Sequence, residues 1–256
     1  MRRLVGWLGV FVLSSVFVFA QSVSSSSVSA SQLAAQSMIN MTGGANISDV
    51  TMSANVISIL GSDAENGTAV LRAKGLLESR VDLTLASSSR SEARNNTNGF
   101  PGGVWRGSDG TVYQIAAHNT WSDASWFYPA LSSLSGGNAN IVFSYVGQEV
   151  HDGVAVQHIT SQKIASSTLY QQLSVMDFYL AADTLLPVAV AFSVHPDNNM
   201  LASIPVEAVF SSYQTVGGIT FPGHIQQYFQ GTIRLDLIVT SMSVNSGVPD
   251  SIFTLP

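Results

Sequence analysis

From Val50 to Val239 apolar and polar residues alternate in short runs, and the dominant period is two. Val50, Met52, Ala54 and Val56 alternate with polar neighbours as far as residues 62–67 (SDAENG), a run of turn formers. Val81, Leu83 and Leu85 alternate with Asp82 and Thr84, and Ile141, Phe143 and Tyr145 with their neighbours. His151-Asp152-Gly153 then predicts a hairpin turn into Val154 and Val156. Further strands are predicted over 173–182, 188–194, 206–216 and 220–228. Breaks at His195–Asn199, Gly217-Gly218 and Gly231 separate them. Ile233, Leu235, Leu237 and Val239 close the series, opposite Arg234 and Asp236. About ten short strands joined by tight turns predict a largely antiparallel sheet. One face is wet and the other buried. A sheet this long must curl, close or split to cover its apolar face. The class is mainly β (α+β), and nothing divides residues 32–256 into more than one domain.

Two segments depart from that period. Leu33, Ala34, Met38 and Met41 fall at helical spacing, with Ser31 as N-cap and Gly43-Gly44 as the stop. Over residues 119–132, Trp121, Ala124, Ser125, Tyr128 and Leu131 share one helical face, Trp126 and Phe127 add aromatic surface, and Pro129 kinks or ends the helix. Such an aromatic helix belongs on the inner face of the curled sheet. Residues 1–20 read as a secretory signal peptide: Arg2 and Arg3, an apolar run, then Val18-Phe19-Ala20 before Gln21. Retained, the same run would be an N-terminal anchor; cleaved, it leaves no stable membrane span. Residues 21–31 form a Ser-rich flexible leader. The expected location is periplasmic or secreted.

Composition narrows the chemistry. Charged residues make up 10% of the chain, against about 25% in an ordinary domain. Their place is taken by Ser, Thr, Asn, Gln and Gly. Without residues 1–20 the chain has eight basic and sixteen acidic residues, a net charge of −8, which argues against nucleic acid as a partner. There is no Cys, hence no disulfide, Cys-ligated metal, Cys nucleophile or lipidated Cys. Four Asn-x-Ser/Thr triplets, at Asn40, Asn46, Asn66 and Asn95, are chance matches in a bacterial chain of this composition. No G-x-S-x-G or S-x-x-K motif is present. The five His show no metal-ligand spacing, the Asp-rich runs lack the EF-hand pattern, and the Gly pairs read as turns. No catalytic residue, metal or cofactor is expected.

What remains is apolar and aromatic. Phe143, Tyr145, Val156, Phe178, Leu180, Val190, Phe192, Phe210, Phe221, Ile225, Leu235 and Leu237 are available to line the inside of the sheet. They could form a packed core or a cavity for an apolar ligand. The candidate ligand residues are Trp121, Trp126, Phe127, Tyr128, Leu131, Phe143, Phe178, Phe192, Phe221 and Leu235.

Three pieces of the C-terminal third then resemble one family. Residues 173–187 (LSVMDFYLAADTLLP) look like its strand and turn Y-x-D-x-x-T-x-L-P. Residues 218–225 (GITFPGHI) resemble its G-x-x-x-P-x-x-I strand start, and 244–256 (VNSGVPDSIFTLP) its closing N-x-G-(L/V)-x-D-x-x-F-x-(L/I)-P. The family is the LolA/LolB-like lipoprotein carriers, and the whole chain is also similar to exported proteins of soil bacteria. The resemblance implies an incomplete β-barrel around helices, a cavity that holds acyl chains, a non-enzymatic role, and a lipid or acylated protein as partner. It implies no oligomeric state. The N-terminal helix here is short. Arg72, Arg80, Arg90, Arg94 and Arg106 offer no unique counterpart to the family's cavity arginine, and residues 90–140 have no family counterpart. Two alternatives stand beside it. One is an envelope interaction module with a solid core. The other is a hydrolase, which would require Asp177, His158 or His224 to meet at a cleft floor.

Overall fold

The computed structural model describes residues 29–97, 100–122, 125–131, 134 and 140–255. The expected signal peptide (1–20) and all but the end of the expected Ser-rich leader lie outside the described residues. Helix α1 (Ala30–Thr42) starts two residues earlier than the pattern predicts. Ser29 caps it reciprocally with Gln32, and Gly43 ends it at φ 61° with its N–H on the Ile39 carbonyl.

The first arm of the sheet runs β1 (Asp49–Leu60), β2 (Asp63–Lys74), β3 (Glu78–Leu85), β4 (Ser89–Thr97), β5 (Phe100–Arg106) and β6 (Val112–Gln114). The second arm begins with β7 (Ile141–His151) and β8 (Val154–Lys163). After helix α2 (Thr168–Leu173) come β9 (Met176–Ala181), β10 (Pro187–Val194) and β11 (Ile204–Ser211). A small ribbon of β12 (Gln214–Val216) and β13 (Ile219–Phe221) leads to β14 (His224–Phe229) and β15 (Thr232–Val244). The main sheet has 13 strands in the order β6-β5-β4-β3-β2-β1-β15-β14-β11-β10-β9-β8-β7. Every pair in it is antiparallel. Two meanders are thus fused in the middle by β1 and β15, with Val50 opposite Val244. Register shifts at Ser53/Ala54, Tyr145/Gly147, Pro187/Ala189 and Gln227/Tyr228 add local twist. The sheet curls without closing, leaving β6 and β7 as free edges.

The period of two sets the inner face. Val50, Met52, Val56, Leu71, Met176, Phe178, Leu180, Val190, Phe210, Ile225 and Leu237 are all buried in one cluster. Leu33, Ala34 and Met41 of α1 join it. So do Trp126, Phe127, Tyr128, Leu131 and Leu134.

Several expectations are corrected. The described part of the expected 119–132 helix, residues 119–122 and 125–131, does not form an α-helix. A 3-10 turn spans Ala117–Thr120, and the bonds Tyr128 N–H to Ser125 O and Leu131 N–H to Tyr128 O close three-residue turns. Pro129 withholds the N–H that an α-helix needs there. The turn expected over 62–67 sits at Gly61-Ser62, and β2 begins at Asp63. Helix α2 and strands β4 to β6 escaped the pattern: β4 is too polar to show the period, β5 carries Gly102-Gly103, read as a turn, within the strand, and β6 has three residues. The single strands expected over 206–216 and 220–228 are each broken in two. Among the described residues no helix is long and apolar enough to cross a membrane.

Asp49 fastens the seam. Its buried carboxylate accepts from the Ser246 amide (2.9 Å), the Ser246 hydroxyl (3.0 Å), the Gly247 amide (3.2 Å) and the Ser48 hydroxyl (3.2 Å). Burial alone would raise its pKa, but these four donors outweigh burial and hold it below the ordinary 3.8. An acid with a depressed folded pKa stabilises fully above its unfolded value and loses that contribution as pH falls through the folded one. Asp49→Asn is therefore expected to flatten the fall in stability below about pH 4, measured by urea unfolding across pH 2 to 7 against the parent.

Candidate functional site

The aromatic segment is laced across the open side of the sheet. Asn119 donates to the His195 carbonyl (2.7 Å) and accepts from its amide (2.7 Å), copying a strand partner at the end of β10. His118 Nε2 lies 3.1 Å from the Pro196 carbonyl. From the other arm, Arg94 donates to the Asn119 carbonyl (3.0 Å), and Thr120 donates to the Pro101 carbonyl (3.1 Å). This anchoring directs residues 125–131 inward. Phe127 and Tyr128 are 0% exposed, and Trp126 meets Phe127 edge to face at 5.7 Å. The Tyr128 hydroxyl has no hydrogen-bond partner among the described residues, and burial pushes its pKa far up. Tyr213 beside it donates to the Pro187 carbonyl (2.8 Å).

Trp126, Phe127, Tyr128, Leu131, Phe178, Phe192 and Phe221 all lie in the buried cluster, with Phe143 and Leu235 partly buried against it. Trp121 stands apart. Its ring stacks on Tyr170 at 4.6 Å, and its carbonyl accepts from Lys163 Nζ at 3.1 Å. There it lines a cavity of about 640 Å³ between the two arms. Leu76 and Leu77 of the β2–β3 turn and Pro101 of β5 line one side; Ile141 of β7 and Ile164 after β8 line the other. Lys74, Glu78 and Lys163 supply its charge. These are the only two lysines in the chain. The Asp250 carboxylate beside Lys74 holds the ammonium above its usual pKa. Burial, with Asp250 adding to it, raises Glu78. The pattern gave no sign of this site, because its lining comes from turns and strand ends rather than from one alternating face.

The opposite face of the second arm is polar. His158 Nε2 is 2.8 Å from Asp177, and its Nδ1 is 2.9 Å from Glu149, though out of line for a directed hydrogen bond. With both ring nitrogens against carboxylates, His158 has none left to take a proton from a nucleophile, so its pairing with Asp177 does not build a triad. His224 pairs instead with Asp236 at 2.8 Å. His151, Asp152 and Glu207 are the group of described residues with metal-ligand geometry. Arg72 and Arg80 both reach Asp82, and Arg90 lies over the Trp105 ring. No arginine lines either cavity found among the described residues.

Neither a family model nor a curated protein matches the chain. Solved structures do. A domain assigned to the outer membrane lipoprotein-sorting proteins of Vibrio parahaemolyticus aligns at TM-score 0.56 and 10% identity, over 88% of this chain and 95% of that one. A LolA superfamily protein from Nitrosomonas europaea aligns at 0.55 and 11%, over 89% and 98%. The fold is LolA-like. A DUF1329 family protein from Desulfovibrio piger shares it at 0.53 and 12%, over 89% and 98%. The three pieces that resemble the LolA/LolB-like family fall on definite elements. Residues 173–187 carry β9 and its turn into β10, and 218–225 lead from β13 to β14. Residues 244–256 hold a 3-10 turn, Asp250–Phe253, whose Phe253 is fully buried. The LolA-like resemblance therefore extends well beyond the C-terminal third, to nearly the whole described chain.

Proposed function

We propose that the chain is an exported, non-enzymatic binder of an amphiphilic ligand, a lipid or an acylated protein, held between the arms of its LolA-like half-barrel. One observation carries the reading: the apolar cavity of about 640 Å³ that gathers both lysines of an otherwise acidic chain. That volume lies within the roughly 300–1,000 Å³ of small-molecule sites. Leu76, Leu77, Ile141, Ile164 and Trp121 would take the apolar chain, and Lys74 and Lys163 an anionic head. Asp250, whose side chain is 74% exposed, is the group that head would displace from Lys74.

A fluorescent fatty acid tests this. Leu77→Asp, in a half-buried turn, is expected to weaken its binding at least about tenfold, roughly 1.4 kcal/mol. Lys74→Gln should weaken a carboxylate-headed probe more than its neutral methyl ester. Equal binding of both probes by parent and variants would refute the site. A second reading, an envelope interaction module with a filled interior, is favoured by the complete burial of Phe127, Tyr128 and Leu134. It predicts no probe uptake by any of these proteins.

A further inference from the structure

We infer that His151, Asp152 and Glu207 form a binding site for one zinc-class divalent cation on the polar face of the sheet, on the side away from the proposed ligand cavity. His151 ends β7 and Asp152 occupies the turn into β8, while Glu207 lies on β11, four strands away in the sheet order. The curl brings the hairpin tip over the intervening strands, so that His151 Nε2 lies 2.8 Å from Glu207 Oε1 and 4.0 Å from Asp152 Oδ2. All three ligand atoms lie within 4.8 Å of one another. The imidazole is held in place from below: its ring stacks on Tyr179 of β9 at 3.8 Å with 13° between the planes.

The donor set selects the cation. One imidazole nitrogen with two carboxylate oxygens is a three-ligand arrangement that leaves a position open, as zinc accepts. Calcium and magnesium prefer oxygen alone. The surroundings are suited to a cation as well. Asp152 and Glu207 line a cavity of about 680 Å³ together with Asp177, and its lining contains no lysine or arginine. A divalent ion between Asp152 and Glu207 would neutralise two carboxylates that otherwise repel each other.

Calorimetric titration of the metal-free exported chain with zinc chloride tests the site. The expected result is one zinc per chain, with Glu207→Gln and His151→Gln each weakening binding at least about tenfold. His158→Gln, at a histidine that also packs on Tyr179 (4.5 Å) but is not one of the three ligands, should leave the affinity unchanged. Magnesium at equal concentration should not compete. In the unmutated chain, zinc should shift the ring nitrogens of His151 among the five histidines, a readout independent of whether any variant folds. No heat and no ring shift with zinc would overturn the proposal. So would binding indifferent to both ligand substitutions, or equal competition by magnesium.

Discussion

Truncating Phe178 to alanine is expected to lower the unfolding free energy by about 3–5 kcal/mol, read from urea denaturation. The ring sits on β9 between Ile159 of β8 and Val190 of β10 in cross-strand register, and all three residues are 0% exposed. Removing it strips dispersion contacts from both neighbours and leaves a void that strands fixed on both sides cannot collapse to fill. A domain stable by about 5–15 kcal/mol in total has little margin for such a loss. Val142→Ala on the free edge strand, 48% exposed, is the control, expected to change stability by about 0.5 kcal/mol or less. Similar losses for the two would mean that β9 does not form the floor of the core.

Gly67→Ala is the second large effect. Gly67 pairs with Val56 on one side and Leu85 on the other. A Cβ there would stand 2.1 Å from the Thr84 carbonyl oxygen and 2.8 Å from Leu85 Cα. Both are backbone atoms, so β3 itself would have to move away. The expected cost is at least about 1–3 kcal/mol. For a chain of this size that corresponds to a Tm lower by roughly 2–4 °C per kcal/mol. Hydrogen exchange should quicken first at the β3 amides. An unchanged Tm would show that the two strands lie farther apart than described.

Gly67 also illustrates what the amino-acid pattern conveys and what it hides. Asn66-Gly67 has the composition of a hairpin turn, yet the chain turns at Gly61-Ser62 and uses Gly67 for close approach between strands. Local composition cannot distinguish a glycine needed for its φ from one needed for its missing side chain. The curled antiparallel sheet was legible, because Val50 to Val56 and Val188 to Val194 alternate without ambiguity. The aromatic segment was legible as an insert on the inner face, though not as turns: its conformation is set by Asn119 docking on His195 and by Pro129. Of the ten candidate ligand residues, Trp121 lines the cavity between the arms and Phe192 the polar one, while the rest pack in or against the core. Leu76 and Leu77 come from the β2–β3 turn, Ile141 from the start of β7 and Ile164 from just after β8, so they share no period. The His151–Glu207 contact spans 56 residues, so no spacing rule could reveal it; only the curl of the sheet makes it.

The proposed function requires that the space between the arms hold an apolar chain, which native mass spectrometry of the protein purified from a bacterial envelope without detergent can detect. The expected result is a population heavier than the apoprotein by the mass of one amphiphile, lost in Leu77→Asp and recovered as lipid in an organic extract. A single species at the apoprotein mass, with no lipid in the extract, would contradict it.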